Sequence, residues 1–119
     1  MWREMWHEDD RMMGVYASLK NDGGPFPRAC PACGERRTHV LMHRFGSSDP
    51  RGTVWAWCDS CGSYAHFGVA IPAWWRNPEF VDEDLLDSYV DYTDSIGGPI
   101  DERVNALLNK ARSGTEASI

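Results

Sequence analysis

The cysteines of this chain constrain its fold more than any other feature. All four lie in two C-x-x-C-G motifs, "CPACG" at residues 30–34 and "CDSCG" at residues 58–62. Two thiolates on one tight turn point to the same side, and the glycine that follows lets the backbone turn. If a strand pair formed by residues 34–57 brings the two turns together, they form one tetrahedral metal site. Its predicted ligands are Cys30, Cys33, Cys58 and Cys61.

Other uses of the four cysteines agree less well with the sequence. Disulfides are typical of secreted chains, and the N-terminal "MWREMWHEDDRMM" lacks the basic region and apolar run of a secretory signal. A thioredoxin-like redox centre needs one C-x-x-C in a βαβ setting, not two pairs flanking a hairpin. Iron in a rubredoxin-type site would use the same ligands and stays open beside zinc. We expect one structural Zn²⁺ per chain and a cytoplasmic protein whose thiols stay reduced.

The two motifs and the hairpin between them resemble those of the zinc-ribbon family. The resemblance covers residues 28–71, and it implies a trio of short strands around a four-cysteine zinc site. The segments "HVLMHR", "RGTVWAWCDSCGSYAH" and "IPAWW" are also similar to those of small bacterial zinc-ribbon proteins. This resemblance implies a fold and a metal, but it implies no activity.

Three segments bounded by turn-forming residues predict strands. Residues 36–45 and 53–57 flank the turn "GSSDPRG", and in residues 63–71 every second residue is apolar. Such alternation is typical of a strand with one buried face. On the second strand, Trp55 and Trp57 share a face and are expected to supply core. The sequence therefore predicts a small α+β fold with a three-stranded antiparallel sheet.

Helices are predicted on both sides of this sheet. The first spans residues 2–19 and is amphipathic. The second spans 80–93, with Asp82 as its N-cap and with Leu85, Leu86 and Tyr89 facing inward. The third spans 101–112, after a break at "SIGGP". The expected organisation is an N-terminal helix and Gly/Pro linker (1–27), a zinc ribbon (28–76) and an acidic helical segment (77–119).

Charge is distributed unevenly along the chain. Its net charge is −6, and residues 79–119 hold ten acidic side chains against three basic ones. A basic footprint is typical of nucleic-acid binders, whereas an acidic block attracts basic partners. We therefore predict a non-enzymatic module that binds a basic protein, either as an immunity-like inhibitor or as an accessory factor. The predicted partner-binding residues are Trp74, Trp75, Asp82, Glu83, Asp87 and Asp91.

The sequence also bears on two other functions, nucleic-acid binding and catalysis. Local basic and aromatic residues favour a nucleic-acid-binding ribbon; they are Arg36, Arg37, Arg44, Arg51, His39, His43, Trp55 and Trp57. An enzyme is not expected, because four thiolates fill the coordination of zinc and no catalytic triad or phosphate-binding loop appears. His39, His43 and His66 are expected to be surface or packing residues rather than ligands of a second metal.

Overall fold

The computed structural model describes residues 5–20, 25–46, 48–86 and 90–117. Its centre is an antiparallel sheet of three long strands, β3 (Arg36–Arg44), β4 (Arg51–Cys58) and β5 (Ser63–Ala70). Two short strands extend this sheet to five. β1 (His7–Glu8) pairs in parallel with β5, and β2 (Arg28–Ala29) pairs antiparallel with β3. The α+β class is confirmed, with two strands more than predicted.

The N-terminal helix is shorter than predicted. Helix α1 (Met13–Ala17) lies between two 3-10 turns, Asp10–Met12 and Ser18–Lys20, while residues 7–8 belong to the sheet. The side chain of Asp9 accepts a hydrogen bond from the backbone N–H of Arg11 and so begins the first turn at Asp10. Trp2, placed by the prediction on the helix, lies outside the described residues. A continuous helix over 2–19 is therefore wrong.

The C-terminal segment also differs from the prediction. The predicted helix over 80–93 is replaced by a 3-10 turn (Glu83–Leu85) and helix α2 (Val90–Ser95), and Tyr89 lies outside the described residues. Asp82 does cap the 3-10 turn, through the backbone N–H of Asp84 at 3.0 Å. Leu85 does not face inward, because half of its surface is exposed.

Helix α3 (Gly97–Ala117) begins earlier than predicted. The predicted break at "SIGGP" is a single residue long, because only Ile96 separates the end of α2 at Ser95 from the start of α3 at Gly97. Pro99 is tolerated because it lies in the first turn, where a backbone N–H has no partner within the helix. Among the described residues, no helix combines the length and the apolar character needed to cross a bilayer.

Both faces of the sheet are covered. On one face, Trp55 lies opposite Leu41 and Trp57 opposite His39, and all four side chains are buried. Trp57 donates a hydrogen bond to Asp94 of α2 at 3.1 Å, so this face packs against the C-terminal helices. The prediction that both tryptophans supply core is confirmed.

The opposite face of the sheet packs against the N-terminal segment. There Phe67 of β5 lies edge-on to Tyr16 of α1, with ring centroids 5.9 Å apart. The Tyr16 hydroxyl donates to the Ala70 carbonyl at 2.9 Å, and Met12 and Val15 are buried beside it. The two covering layers also meet, because the Trp6 indole donates to Asp91 of α2 at 2.8 Å.

Candidate metal centre

The four cysteines meet at one end of the long strands. Cys30 and Cys33 lie in the turn between β2 and β3, whereas Cys58 ends β4 and Cys61 precedes β5. The sulfur atoms all lie within 4.8 Å of one another. Across the two turns, Sγ of Cys30 is 3.7 Å from that of Cys61, and Sγ of Cys33 is 3.8 Å from that of Cys58.

These sulfur distances match zinc and exclude disulfides across the turns. A disulfide requires sulfur atoms about 2.05 Å apart, and all four cysteines are free thiols. Two sulfurs bound at about 2.3 Å to one tetrahedral Zn²⁺ lie about 3.8 Å apart. The cysteines therefore form the site of a single structural zinc ion, as predicted.

The two turns have nearly the same backbone geometry. Gly34 and Gly62 have φ angles of 83° and 82°, in the left-handed region that glycine enters at no steric cost. Their backbone N–H groups donate to the carbonyls of Cys30 and Cys58 at 2.8 and 3.0 Å. Each glycine thus ends the turn that holds two sulfurs on one side, as the motif predicts.

Polar groups around the sulfurs stabilise thiolates. The Ala32 amide donates to Sγ of Cys30 at 3.3 Å, and the Ser63 hydroxyl lies 3.2 Å from Sγ of Cys61. Once Cys61 is deprotonated to bind zinc it has no proton to donate, and the Ser63 hydroxyl then donates to the sulfur. Ring nitrogen Nε2 of His7 in turn lies 3.1 Å from the Ser63 oxygen. This chain from His7 to Cys61 orients the ligand in the way that outer groups orient metal ligands elsewhere.

Without a metal ion the thiols differ in acidity. Burial raises the pKa of Cys58 to about 12. Burial acts in the same direction on Cys61, but hydrogen bonds from the Ser63 hydroxyl and amide outweigh it and lower the pKa of Cys61 to about 7. Zinc binds thiolates, so metal binding must release the proton of Cys58.

A cation of the N-terminal segment lies near the cysteines, although other arginines stand closer to them in the sequence. Arg28, Arg36 and Arg37 stand beside the first motif in the sequence, but Arg28 is buried against the Phe26 ring and donates to Ser18 at 2.7 Å. Arg37 pairs with Asp59 in the second cysteine turn. The Arg11 guanidinium lies 3.5 Å from the Pro31 carbonyl in the first turn, close enough for its charge to act on Cys30 and Cys61. No local sequence pattern predicts this placement, because Arg11 is far from the cysteines in the sequence and comes near them only in the folded chain.

His39 occupies a position that the sequence did not predict. It is 6% exposed, and its Nδ1 lies 2.8 and 2.9 Å from the two carboxylate oxygens of Asp101. Its Nε2 lies 2.8 Å from Asp59, inside the second cysteine motif. Burial lowers the pKa of His39, but Asp101 and Asp59 outweigh it, and the net effect raises the pKa.

The predicted partner-binding residues differ in how far they are exposed to solvent. Trp75 is fully buried and has no surface to offer a partner, while its neighbour Trp74 is half-buried. Asp91 accepts the hydrogen bond of the Trp6 indole. Asp82 and Glu83 are exposed. Asp87 lies outside the described residues.

Of the predicted basic and aromatic face, the arginines Arg36, Arg37 and Arg51 are exposed, but the aromatic part is not. Trp55, Trp57 and His39 are buried. The guanidinium of Arg44 donates to the backbone carbonyls of Asp49, Pro72 and Trp75 at 2.7–3.1 Å. Two further arginines of that set form ion pairs within the chain. Arg37 pairs with Asp59, and Arg51 lies 3.6 Å from Asp49.

Comparison with known proteins gives one partial match. The chain is 46% identical over 33 residues to a putative transcription elongation factor S-II-like protein, 81R, of Frog virus 3. That stretch covers 28% of this chain and 36% of the viral protein, so the chain spans about a third of its relative. No protein-family profile matches the chain, and no solved structure matches it. The relative is viral, so the resemblance to bacterial proteins stays a prediction.

Proposed function

We propose that this chain is a non-enzymatic zinc-ribbon module that binds a basic protein through residues 79–85. The observation that carries this proposal is an exposed run of three acidic side chains that lies between two exposed apolar ones. Phe80 and Leu85 are 40% and 50% exposed, and between them Asp82, Glu83 and Asp84 are exposed as well.

The acidic side chains of this segment are available for a partner. Within the part of the chain that the structure describes, no cation lies at ion-pairing distance from Asp82, Glu83 or Asp84. Glu79 differs, since it pairs with Arg103 at 3.1 Å. Three carboxylates without a counter-charge attract a basic surface, and the exposed apolar side chains supply area that becomes buried on contact.

The zinc site supports a structural role. Four cysteine thiolates fill the tetrahedral coordination of Zn²⁺ and leave no position for a water molecule or a substrate. A closed site contributes folding free energy instead, about 10–16 kcal/mol in zinc-finger peptides. The metal would then hold the sheet in place while residues 79–85 contact the partner.

The test combines charge removal with salt. A triple variant, Asp82→Asn, Glu83→Gln and Asp84→Asn, keeps side-chain size and the Asp82 cap but removes three charges. Affinity for a basic partner that copurifies from the native host should fall at least tenfold, and wild-type affinity should fall as salt rises. Glu102→Gln, on an exposed position of α3, is the matched control. Equal affinity of the triple variant and the wild type would refute the proposal.

A second function is favoured by the comparison alone. The name of the viral relative refers to transcription elongation, so a zinc ribbon associated with transcription is the alternative. Binding of single- or double-stranded nucleic acid at low salt by purified protein supports it, provided that Arg36→Gln and Arg51→Gln weaken that binding. If nucleic acid is not retarded, this alternative is excluded.

A further inference from the structure

A second cluster of metal-ligating side chains lies beside the cysteines. It combines His39 of β3, Asp59 of the second cysteine turn and Asp94 of α2. One ligand atom of each, an imidazole nitrogen and two carboxylate oxygens, lies within 4.8 Å of the others. Ligands of one ion at about 2.0–2.2 Å are at most about 4.4 Å apart, so the three ligand atoms are close to the spacing that one ion requires.

The imidazole is already oriented for such a site. Asp101 of α3 holds Nδ1 at 2.8 Å, which turns Nε2 towards Asp59. A metal-ligating histidine typically donates its other ring N–H to a carboxylate in this way. The Trp57 ring lies against the imidazole with centroids 5.3 Å apart, which fixes the ring plane.

The two carboxylates are also positioned by neighbours. Arg37 donates to one oxygen of Asp59, and the Trp57 indole donates to Oδ1 of Asp94 at 3.1 Å. Both aspartates are partly buried, with 20% of the Asp59 side chain exposed, whereas His39 is buried. An ion can therefore approach from solvent on the carboxylate side.

The charge of the cluster favours a divalent cation. Asp59, Asp94 and Asp101 bring three negative charges, and Arg37 brings one positive charge. An ion bound to Nε2 takes the place of the proton that His39 shares with Asp59. Once that proton has left, His39 is neutral and these groups carry a net charge of −2, which a divalent ion neutralises. One imidazole and two carboxylates suit first-row ions such as Zn²⁺ and Mn²⁺, with Zn²⁺ bound more tightly.

We propose that His39, Asp59 and Asp94 form a second binding site for a first-row divalent cation, with Asp101 orienting His39. Unlike the cysteine site, this one has only three protein ligands, so solvent completes the coordination. The ion would join α2 to the sheet and to the cysteine turn. The proposal is independent of the function proposed above, because none of its ligands lies within residues 79–85.

The test starts from protein carrying one Zn²⁺ per chain in the cysteine site. Isothermal titration with further Zn²⁺ is done well above the ordinary histidine pKa of about 6.5. Despite its burial, His39 has its pKa raised by Asp101 and Asp59, so only such a pH keeps protons from competing with the ion for the ring. We expect a second equivalent to bind, and we expect Asp94→Asn to weaken that event at least tenfold. The amide oxygen of this variant still accepts from Trp57, which keeps the packing. Asp84→Asn, on the exposed 3-10 turn, is the matched control and should bind as the wild type does.

A second measurement needs no variant. Paramagnetic Mn²⁺ added to the zinc-loaded protein should broaden the imidazole resonances of His39 before those of His66, which is exposed on β5. The proposal is overturned if wild-type protein takes up only one Zn²⁺. It is also overturned if Asp94→Asn and Asp84→Asn bind the second ion equally, or if both histidines broaden together, because the ion would then lie on the acidic surface in general.

Discussion

Replacing Gly62 by alanine should destabilise the protein much more than the same change at Gly34. Both glycines have the same left-handed backbone, so both variants incur the strain of placing an L-residue there, about 1–2 kcal/mol. At Gly34 nothing lies within 4 Å of the added Cβ, and the cost ends with that strain. At Gly62 the Cβ would lie 2.0 Å from the carbonyl oxygen of Met5, so the N-terminal segment must move.

The additional loss of stability at Gly62 comes from the contacts that the N-terminal segment makes with the rest of the protein. Its movement breaks the hydrogen bond from the His7 N–H to the Gly62 carbonyl, 2.9 Å long and worth about 0.5–1.5 kcal/mol. It also loosens the Trp6 side chain, which is 4% exposed; full burial of a large apolar side chain contributes about 1.5–3 kcal/mol. We therefore expect Gly62→Ala to cost about 2–3 kcal/mol more than Gly34→Ala.

Urea unfolding of both variants at the same free zinc concentration measures this difference. Equal free zinc is essential because a bound metal stabilises the folded state by mass action. If the two variants differ by less than about 0.5 kcal/mol, the uncertainty of such comparisons, then the close approach of the N-terminal segment to the second cysteine turn is refuted.

Three further predictions concern the metal, a long-range contact and the core. Ser63→Ala removes the hydroxyl beside Cys61 and should lower zinc affinity about 10–100-fold in a chelator competition; unchanged affinity would exclude a role of the hydroxyl. Asn105→Ala removes both hydrogen bonds to the Phe26 backbone, at 2.7 and 3.0 Å, and should cost about 1–3 kcal/mol by urea unfolding. The control, Asn109→Ala on the exposed face of α3, should change the free energy of unfolding by less than about 0.5 kcal/mol. A similar loss of stability in the Asn105 and Asn109 variants would contradict a stabilising role of the Asn105–Phe26 hydrogen bonds. Trp57→Ala empties a fully buried position and should cost about 3–5 kcal/mol in the same assay; a loss below about 1 kcal/mol would contradict the packing of α2 on the sheet.

The strands and the zinc ligands could be predicted because their signals are local. Turn residues at 46–52 separate two strand segments, and the structure has strands at Arg36–Arg44 and Arg51–Cys58. The C-x-x-C-G spacing fixes the shape of each cysteine turn without help from the rest of the chain. The two-residue strands were missed, since two residues carry no periodicity that could reveal them.

The helix boundaries were predicted less well because local and long-range signals compete. The acidic residues after position 79 have a helical spacing, yet Asp82 caps only a 3-10 turn over Glu83–Leu85. Gly97 and Gly98 look like helix breakers, but Gly97 lies against the His39 and Trp57 rings, with its missing Cβ 3.7 and 3.8 Å from them. Close packing on the sheet therefore outweighs the low helix propensity of glycine.

The environment of His39 shows what a sequence alone cannot supply. Its two carboxylate partners lie 20 and 62 residues away along the chain. Nothing near His39 in the sequence distinguishes it from His43, which lies on the same strand face. Only the register of β3 with β4 and the docking of α3 bring these groups together.

The most direct test of the zinc assignment follows metal content and fold together. The Asp94→Asn variant, which keeps the proposed second site out of the count, is titrated with a chelator while bound zinc and near-ultraviolet circular dichroism are recorded. We predict one Zn²⁺ per chain at the start and loss of the tryptophan signal in step with loss of zinc, because the metal contributes much of the folding free energy. A zinc-free chain that keeps its full near-ultraviolet spectrum would contradict the account.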